Sequence, residues 1–122
     1  GVCPEGFHVP SDDEYMILID YLGGESVAGG KMKEAGLEHW NYYSDEITEE
    51  ATNESGFTGL PAGDRLSNPG SYFNMGYNGI FWSSTENLSA DAWHRRLDHH
   101  RSTMFRYNYN KQFGLSIRCL GD

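Results

Sequence analysis

The N-terminal residues have the pattern of a short strand followed by an amphipathic helix. Phe7 to Pro10 predicts a strand that ends at the proline. Ser11-Asp12-Asp13-Glu14 forms a capping box, in which Ser11 caps a helix and Glu14 reaches back to the chain before it. We expect the helix to run from Asp12 to Leu22 and to end at Gly23-Gly24. Its apolar face consists of Tyr15, Ile19 and Leu22.

The middle of the chain has weaker periodicity. A second short helix is predicted over residues 25–30, although its glycines oppose it. Residues 38–55 are expected to form an acidic, irregular excursion, and residues 56–61 a buried strand. Residues 64–78 are rich in turn signals, including Asn68-Pro69-Gly70.

The C-terminal third alternates between apolar and polar residues, with turn signals between the alternating stretches. It predicts strands at roughly 80–85, 92–98, 103–107 and 114–120. Helices followed by strands indicate an α+β domain, with one or two N-terminal helices packed on a twisted antiparallel sheet with long loops. The 122 residues suit a single domain. We expect Phe57, Leu60, Trp82 and Trp93 in the core, and Tyr107, Asn108, Tyr109 and Asn110 at the surface.

Charge is distributed unevenly. The net charge is −9, and most acidic residues lie in residues 1–60. Residues 94–112 are basic, with Arg95, Arg96, Arg101, Arg106 and Lys111 against Asp98. This segment could steer an anionic partner, or the acidic part could simply be a solvated face. The overall acidity argues against a nucleic-acid partner, and no segment is long and apolar enough for membrane insertion of this domain.

The two cysteines, Cys3 and Cys119, lie near opposite ends of the chain. Both flank predicted strands that could be neighbours, so we expect a disulfide between them. Two unpaired buried thiols are the alternative. A disulfide would indicate a compartment outside the reducing cytosol.

Six sequence blocks occur in a recognisable order. They are Cys3-Pro4-x-Gly6-Phe7-His8-Val9-Pro10-Ser11, Gly29-Gly30-Lys31-Met32-Lys33-Glu34, Asn53-Glu54-Ser55-Gly56-Phe57, Leu60-Pro61-Ala62-Gly63, Trp82-Ser83-Ser84-Thr85-Glu86 and Gly114-Leu115-Ser116-Ile117-Arg118-Cys119. Together they closely resemble the Fibrobacter succinogenes major paralogous domain over nearly the whole chain. This family is similar to the C-type lectin fold and to the fold of formylglycine-generating enzymes.

The resemblance implies a cellular location and a function. The family is widespread in secreted and surface proteins of Bacteroidetes-type bacteria. It implies that residues 1–122 are one C-type-lectin-like module, the C-terminal part of a longer secreted, outer-membrane or pilus-associated protein. Members of this fold are targets of diversity-generating retroelements, in which mutated asparagine codons yield Asn, Tyr, His, Asp and Ser. Residues 72–78 and 94–112 are rich in those types.

We therefore expect a ligand-binding or adhesion module with a variable polar-aromatic face for a protein or glycan at a cell surface, and no cofactor or enzymatic activity. Such residues suit an adaptable binding surface. On a strand, residues 94, 96, 98 and 100 share one face, which 102, 104 and 106 continue if the turn keeps register. The predicted site comprises Tyr72, Phe73, Asn74, Tyr77, Asn78, His94, Arg96, Asp98, His100, Ser102, Arg106, Tyr107, Asn108 and Tyr109.

Two other functions fit the same residues. His94, Asp98 and His100 on one strand face could bind zinc in a metal-dependent enzyme, or they could belong to a polar face without metal. The calcium motifs of sugar-binding C-type lectins are absent. The active-site cysteine pair of formylglycine-generating enzymes is also missing if Cys119 pairs with Cys3. A structural module of a pilus tip or an envelope lipoprotein is the remaining alternative.

Overall fold

The computed structural model describes residues 1–66 and 70–122. Its elements are β1 (Phe7–His8), α1 (Asp12–Tyr21), α2 (Glu25–Met32), α3 (Asp45–Glu50), β2 (Asp64–Arg65), β3 (Tyr72–Phe73), β4 (Asn78–Asn87), β5 (Asp91–Asp98), β6 (Met104–Asn110) and β7 (Leu120–Gly121). Helices precede the main antiparallel sheet, so the α+β class is confirmed. Asn68 and Pro69 of the predicted turn lie outside the described residues.

The main sheet has the order β4–β5–β6, and all its strands are antiparallel to their neighbours. Two short antiparallel pairs, β1–β7 and β2–β3, lie outside it. The strands predicted at 80–85, 92–98 and 103–107 are confirmed: β4 and β5 extend beyond the first two, and β6 begins one residue later than the third and ends at Asn110. Alternation identified them because one face of each strand packs against the helices.

The C-terminal segment differs from the predicted strand over 114–120, since only Leu120–Gly121 is a regular strand there. The backbone of Gly114 instead bonds to Arg65. Ser116 bonds to the edge of β4, accepting from Trp82 N and donating to Ile80 O at 3.0 and 2.9 Å. The segment therefore forms isolated β-bridges to two different partners instead of a continuous ladder of strand hydrogen bonds.

Helix α1 begins as the capping box predicts. Glu14 N donates to Ser11 Oγ at 3.1 Å, and Ser11 N donates to a carboxylate oxygen of Glu14 at 3.0 Å. Its apolar face packs against α2 and the main sheet. The resulting core contains Tyr15, Ile19, Leu22, Ala28, Met32, Trp40, Phe81, Leu97 and Met104.

Helix α2 runs to Met32 despite its glycines because they allow close packing. A Cβ atom on Gly29 would lie 2.5 Å from the carbonyl oxygen of Thr103. Gly30 N donates to Ser102 O at 3.0 Å. Close approach of backbone to backbone is a main use of glycine. The glycines that weakened the helix prediction therefore bring α2 against the turn between β5 and β6.

Four other expectations about the fold are wrong. The acidic excursion contains α3, which Ser44 caps through Ile47 N. Residues 56–61 form no strand, because only Gly59 makes a bridge, to Lys33. Leu60 is 41% exposed. Trp82 and Trp93 are half-buried and lie outside the core cluster, whose aromatic residues are Tyr15, Trp40 and Phe81.

The predicted disulfide is confirmed. Cys3 and Cys119 are bonded, with their Cα atoms 5.8 Å apart. The bridge lies beside the β1–β7 pair and fastens the two ends of the chain together. A disulfide fits an oxidising compartment. In the part of the chain that the structure describes, no helix has the length and hydrophobicity to cross a bilayer.

Candidate functional site

The main sheet has two chemically different faces. On the helix face, Arg95 contacts α1 and Leu97 joins the core. The opposite face, here called the outer face, is set by register: His94 lies between Trp82 and Tyr107, and Arg96 lies opposite Phe105. The outer face therefore includes Trp82, His94, Arg96, Phe105, Tyr107 and Tyr109, and Ile80, which lies opposite Arg96, is buried on its β4 side.

The outer face is a contiguous layer of rings. The ring centroid of His94 lies 4.5 Å from that of Tyr109 and 6.2 Å from those of Tyr107 and Trp82. The guanidinium of Arg96 lies 4.7 Å from the ring centroid of Tyr107 and 5.2 Å from that of Phe105. These are cation–π distances. The layer thus combines aromatic surface with a positive charge that the rings hold in place.

His94 lies beneath the other rings of this layer and is not exposed to solvent. Its side chain is 0% exposed, and neither ring nitrogen has a hydrogen-bond partner among the described residues. Burial, with the nearby charge of Arg96, lowers the pKa of His94 to about 4. The imidazole is therefore neutral at neutral pH and acts as a packing group under Tyr107 and Tyr109.

Asp98 is also buried, at 2% exposure, and orients its neighbours. Its carboxylate accepts a hydrogen bond from Arg96 Nη2 at 3.3 Å, while Arg96 Nε lies 3.2 Å from the other oxygen without hydrogen-bond geometry. Asn78 Nδ2 donates to the same carboxylate. Asp98 consequently joins the end of β5 to the start of β4 and fixes Arg96, rather than facing a ligand.

The predicted site residue Arg106 lies elsewhere because the register across the turn differs from the expected one. Leu97 pairs with Met104 and Arg95 with Arg106, so even-numbered residues of β5 face odd-numbered residues of β6. Arg106 is therefore on the helix face, where its Nε donates to Asp12 Oδ2 at 2.7 Å. The prediction that 102, 104 and 106 continue the face of 94–100 is wrong.

The remaining predicted residues of this segment follow from the same register. Asn108 is exposed but pairs with Trp93, on the side of the helix face. Ser102 Oγ donates to a carboxylate oxygen of Glu50 at 2.5 Å. Tyr107 and Tyr109 do lie on the outer face, as expected, with Tyr107 43% exposed and Tyr109 half-buried.

The zinc alternative is not favoured by the geometry. The ligand atoms of His94, Asp98 and His100 do not all lie within 4.8 Å of one another, because β5 ends at Asp98 and His100 is in the turn. Among the described residues, a group of that compactness is formed by Glu34, Glu38 and His39. His39 Nδ1 lies 2.8 Å from a Glu34 oxygen, so an ion pair accounts for part of this group.

The loop of residues 72–78 lies at the end of the sheet where β4 begins and β5 ends. Tyr72 is 76% exposed, Phe73 and Tyr77 are about half exposed, and Asn74 is exposed. Asn74 Nδ2 donates to Asp64 Oδ1 at 3.0 Å, which fixes the loop. The ring of Tyr77 meets His99 edge-on at 5.0 Å between centroids. The loop therefore adds exposed rings beside the sheet.

Sequence reasoning missed several residues of this region. Tyr43 packs edge-on against His99 and His100, at 5.8 and 5.7 Å between centroids. Trp82 was assigned to the core and Phe105 was not assigned to the site. The alternation of Phe105, Tyr107 and Tyr109 in β6 could have revealed Phe105, whereas no local signal connects Tyr43 to a turn far along the chain.

Lys33 holds the turn between β5 and β6. Its Nζ is buried and donates to the carbonyl oxygens of Asp98 and Arg101 at 2.8 and 2.9 Å. Burial lowers the pKa of Lys33 to about 8, and the charges of Asp98 and Glu50 oppose that shift. A buried ammonium bound to main-chain oxygens fixes the turn without depending on the side chains of that turn.

The comparisons with known proteins agree with the sequence blocks. The family model of the Fibrobacter succinogenes major domain matches residues 1–120. Comparison with curated proteins and with solved structures gave no significant match. Because the family model covers nearly all of the sequence, the chain belongs to the Fibrobacter succinogenes major domain family.

Proposed function

We propose that this chain is a non-catalytic ligand-binding or adhesion module that binds a protein, or alternatively a glycan, through its outer face and the adjoining loop 72–78. The observation that carries the proposal is the row of Phe105, Tyr107 and Tyr109, with Arg96 held between rings by Asp98. Tyr, Trp and Arg are the residue types that most often carry interface energy.

The rigidity of the layer supports this proposal. Neutral His94 packs beneath the tyrosines, and Asp98 fixes the guanidinium of Arg96, so the surface is ordered before a ligand arrives. Binding then orders few additional side chains, which reduces the entropic cost of association. The arrangement contributes aromatic area and hydrogen-bonding hydroxyls without requiring a catalytic group.

The finer assignments belong to the same proposal. A C-type-lectin-like fold is supported by helices that precede an antiparallel sheet with long loops. A secreted or bacterial surface location is supported by the Cys3–Cys119 disulfide. Diversification by a retroelement would act on exposed positions of the site and spare buried ones. The exposed or half-exposed candidates are Tyr72, Asn74, Tyr77, Tyr107 and Tyr109, whereas His94 and Asp98 are buried.

The test is binding of the folded domain to intact cells, to a surface-protein extract and to a glycan array. We expect Tyr107→Ala with Tyr109→Ala to abolish binding in whichever assay is positive. The matched control is Glu46→Ala with Glu49→Ala on α3, which removes exposed charges far along the chain from the outer face. Loss of binding in the control with retention in the tyrosine variant would place the site elsewhere.

A second measurement tests the variability. Sequences of sibling domains should change at Tyr72, Asn74, Tyr77, Tyr107 and Tyr109 and keep residues equivalent to His94 and Asp98. Uniform conservation of the tyrosines would contradict a variable face. If the wild-type domain binds nothing in all three assays, the structural-module alternative becomes the better explanation.

A further inference from the structure

A cavity lies beside helix α1, away from the outer face of the sheet. Its apolar walls are Tyr15 and Leu18 of α1, together with Phe57 and Leu120. Arg118 and Glu14 supply its charged groups, and the cavity volume is about 180 Å³. Tyr15 and Leu18 belong to or pack against the core cluster, so this cavity is separate from the outer face. We name it the α1 pocket.

The Tyr15 hydroxyl is a buried donor without an acceptor. The residue is 3% exposed, and its hydroxyl has no hydrogen-bond partner in the described part of the chain. Burial raises the pKa of the phenol, and the nearby charges of Arg118 and Arg95 oppose that rise. The hydroxyl therefore keeps its proton. A buried polar group without a partner is unfavourable unless a ligand or water satisfies it.

Arg118 is a cation without a carboxylate. It stacks over Phe57, with its guanidinium 4.1 Å from the ring centroid. Arg118 is half-buried and makes no ion pair within the described residues, whereas the fully buried Arg95 and the half-buried Arg96 each pair with a carboxylate. The donors of a half-buried guanidinium suit a carboxylate, which can accept two of them at once.

Glu14, the carboxylate of the pocket, is already engaged. It accepts from Ser11 N at 3.0 Å and lies 2.9 Å from His8 Nε2. These contacts lower the pKa of Glu14, so it remains a negatively charged part of the helix cap. Glu14 therefore does not neutralise Arg118, and it disfavours a ligand with more than one negative charge.

We propose that the α1 pocket binds a small apolar monocarboxylate, with Arg118 and the Tyr15 hydroxyl as donors to the carboxylate and with Leu18 and Phe57 against its apolar group. Pockets for drug-sized ligands have volumes of about 300–1,000 Å³. The smaller α1 pocket therefore accommodates one ring or one branched aliphatic group. A free acid and the C-terminal residue of a peptide share this chemistry.

The experiment is a titration followed by NMR amide shifts and calorimetry, with benzoate as the probe and benzamide as its neutral counterpart. We expect benzoate to shift the amides of α1 and of residues 117–120, and benzamide to bind at least about tenfold more weakly. Tripeptides that end in phenylalanine, with a free or an amidated C-terminus, distinguish the two sources. Tighter binding of the free-carboxylate peptide than of benzoate would identify the C-terminus of a peptide as the ligand. Tighter binding of benzoate would identify a free acid.

Tyr15→Phe is the decisive variant because it removes only an unpartnered hydroxyl, which should leave the fold intact. It should weaken benzoate binding about fivefold or more. Arg118→Gln should abolish it, and Arg101→Gln, at an exposed arginine, is the matched control. Equal affinity for benzoate and benzamide, unchanged affinity in Tyr15→Phe, or shifts confined to another surface would each overturn the proposal. The Tyr107/Tyr109 variant should still bind benzoate, which separates this site from the outer face.

Discussion

The two faces of strand β5 differ in how their polar groups are satisfied. On the helix face, the fully buried Arg95 donates to Asp12, and Leu97 packs in the core. On the outer face, Tyr107 is 43% exposed and its ring contacts Arg96 and Phe105. One face connects distant elements, whereas the other contacts mainly itself and solvent. The comparison indicates that the helix face contributes more to stability than the exposed tyrosines of the outer face, which agrees with the binding role proposed above for those tyrosines.

Asp12 is the centre of the helix face. It is the first residue of α1, and its carboxylate accepts from Arg95 Nε at 3.1 Å and Arg106 Nε at 2.7 Å. Arg106 also stacks on Trp93, with its guanidinium 3.6 Å from the ring centroid. Removal of one partner of a buried ion pair leaves a charge without compensation, which is costly even where the intact pair adds little.

The largest loss of stability on the helix face is expected for Asp12→Ala, which removes the carboxylate shared by Arg95 and Arg106. We expect the free energy of unfolding to fall by roughly 3–5 kcal/mol, because Arg95 would lose its main counterion while fully buried. Urea denaturation measures the change. Asp13→Ala, an exposed position in the same helical turn, should cost no more than about 1 kcal/mol. Similar losses in both variants would mean that helix charge, rather than the buried pair, is what matters.

Removal of the terminal disulfide should have the next largest effect. We expect Cys3→Ser with Cys119→Ser to lower the free energy of unfolding by about 2–5 kcal/mol, because the bridge restricts the unfolded chain over a separation of 116 residues. Denaturation of the variant and of the reduced wild type should agree. Two free thiols in non-reducing mass spectrometry of secreted material would contradict the pairing.

The burial of His94 on the outer face should make the stability of the fold depend on pH. Its pKa is about 4 in the folded protein against 6.5 for the free side chain, so the unfolded state takes up a proton first as the pH falls. The His94 contribution to stability is therefore complete above pH 6.5 and is lost as the pH falls towards 4. Between pH 6.5 and pH 5 the loss should be about 2 kcal/mol.

His94→Phe should remove this component and leave the rest of the acid profile, since it keeps a ring beside Trp82, Tyr107 and Tyr109. His8 and His39 titrate in both proteins and cancel in the difference. Parallel stability curves for the wild type and the variant would show that His94 is not buried as described.

The smallest effect is expected for Tyr107→Ala. It should change the free energy of unfolding by no more than about 1 kcal/mol, the size of one exposed cation–π contact. Met104→Ala, on the helix face of the same strand and fully buried, should cost about 2–5 kcal/mol. Thermal melts of the two variants provide the comparison. Equal losses of unfolding free energy in the two variants would contradict the conclusion that the helix face contributes more to stability than the exposed tyrosines.

Local patterns in the sequence determined much of this protein. The capping box specified the start of α1, since all its hydrogen bonds lie within a few residues. Alternation located β4, β5 and β6, and the placement of Cys3 and Cys119 predicted the disulfide. The six sequence blocks indicated the family. Each of these features depends on short-range hydrogen bonding, on residue spacing or on a matching set of blocks.

The tertiary structure alone decided which side chains share a face. The turn between β5 and β6 sets a register that places Arg106 with Arg95 and Tyr107 with His94, and a change of one residue would reverse both. That register depends on contacts with Lys33 and Gly30, far away in the sequence. The burial of His94 and Asp98, and the approach of Tyr43 to His99, likewise arise from packing between distant segments. The alternation of residues along one strand does not show which of its two faces other elements will cover.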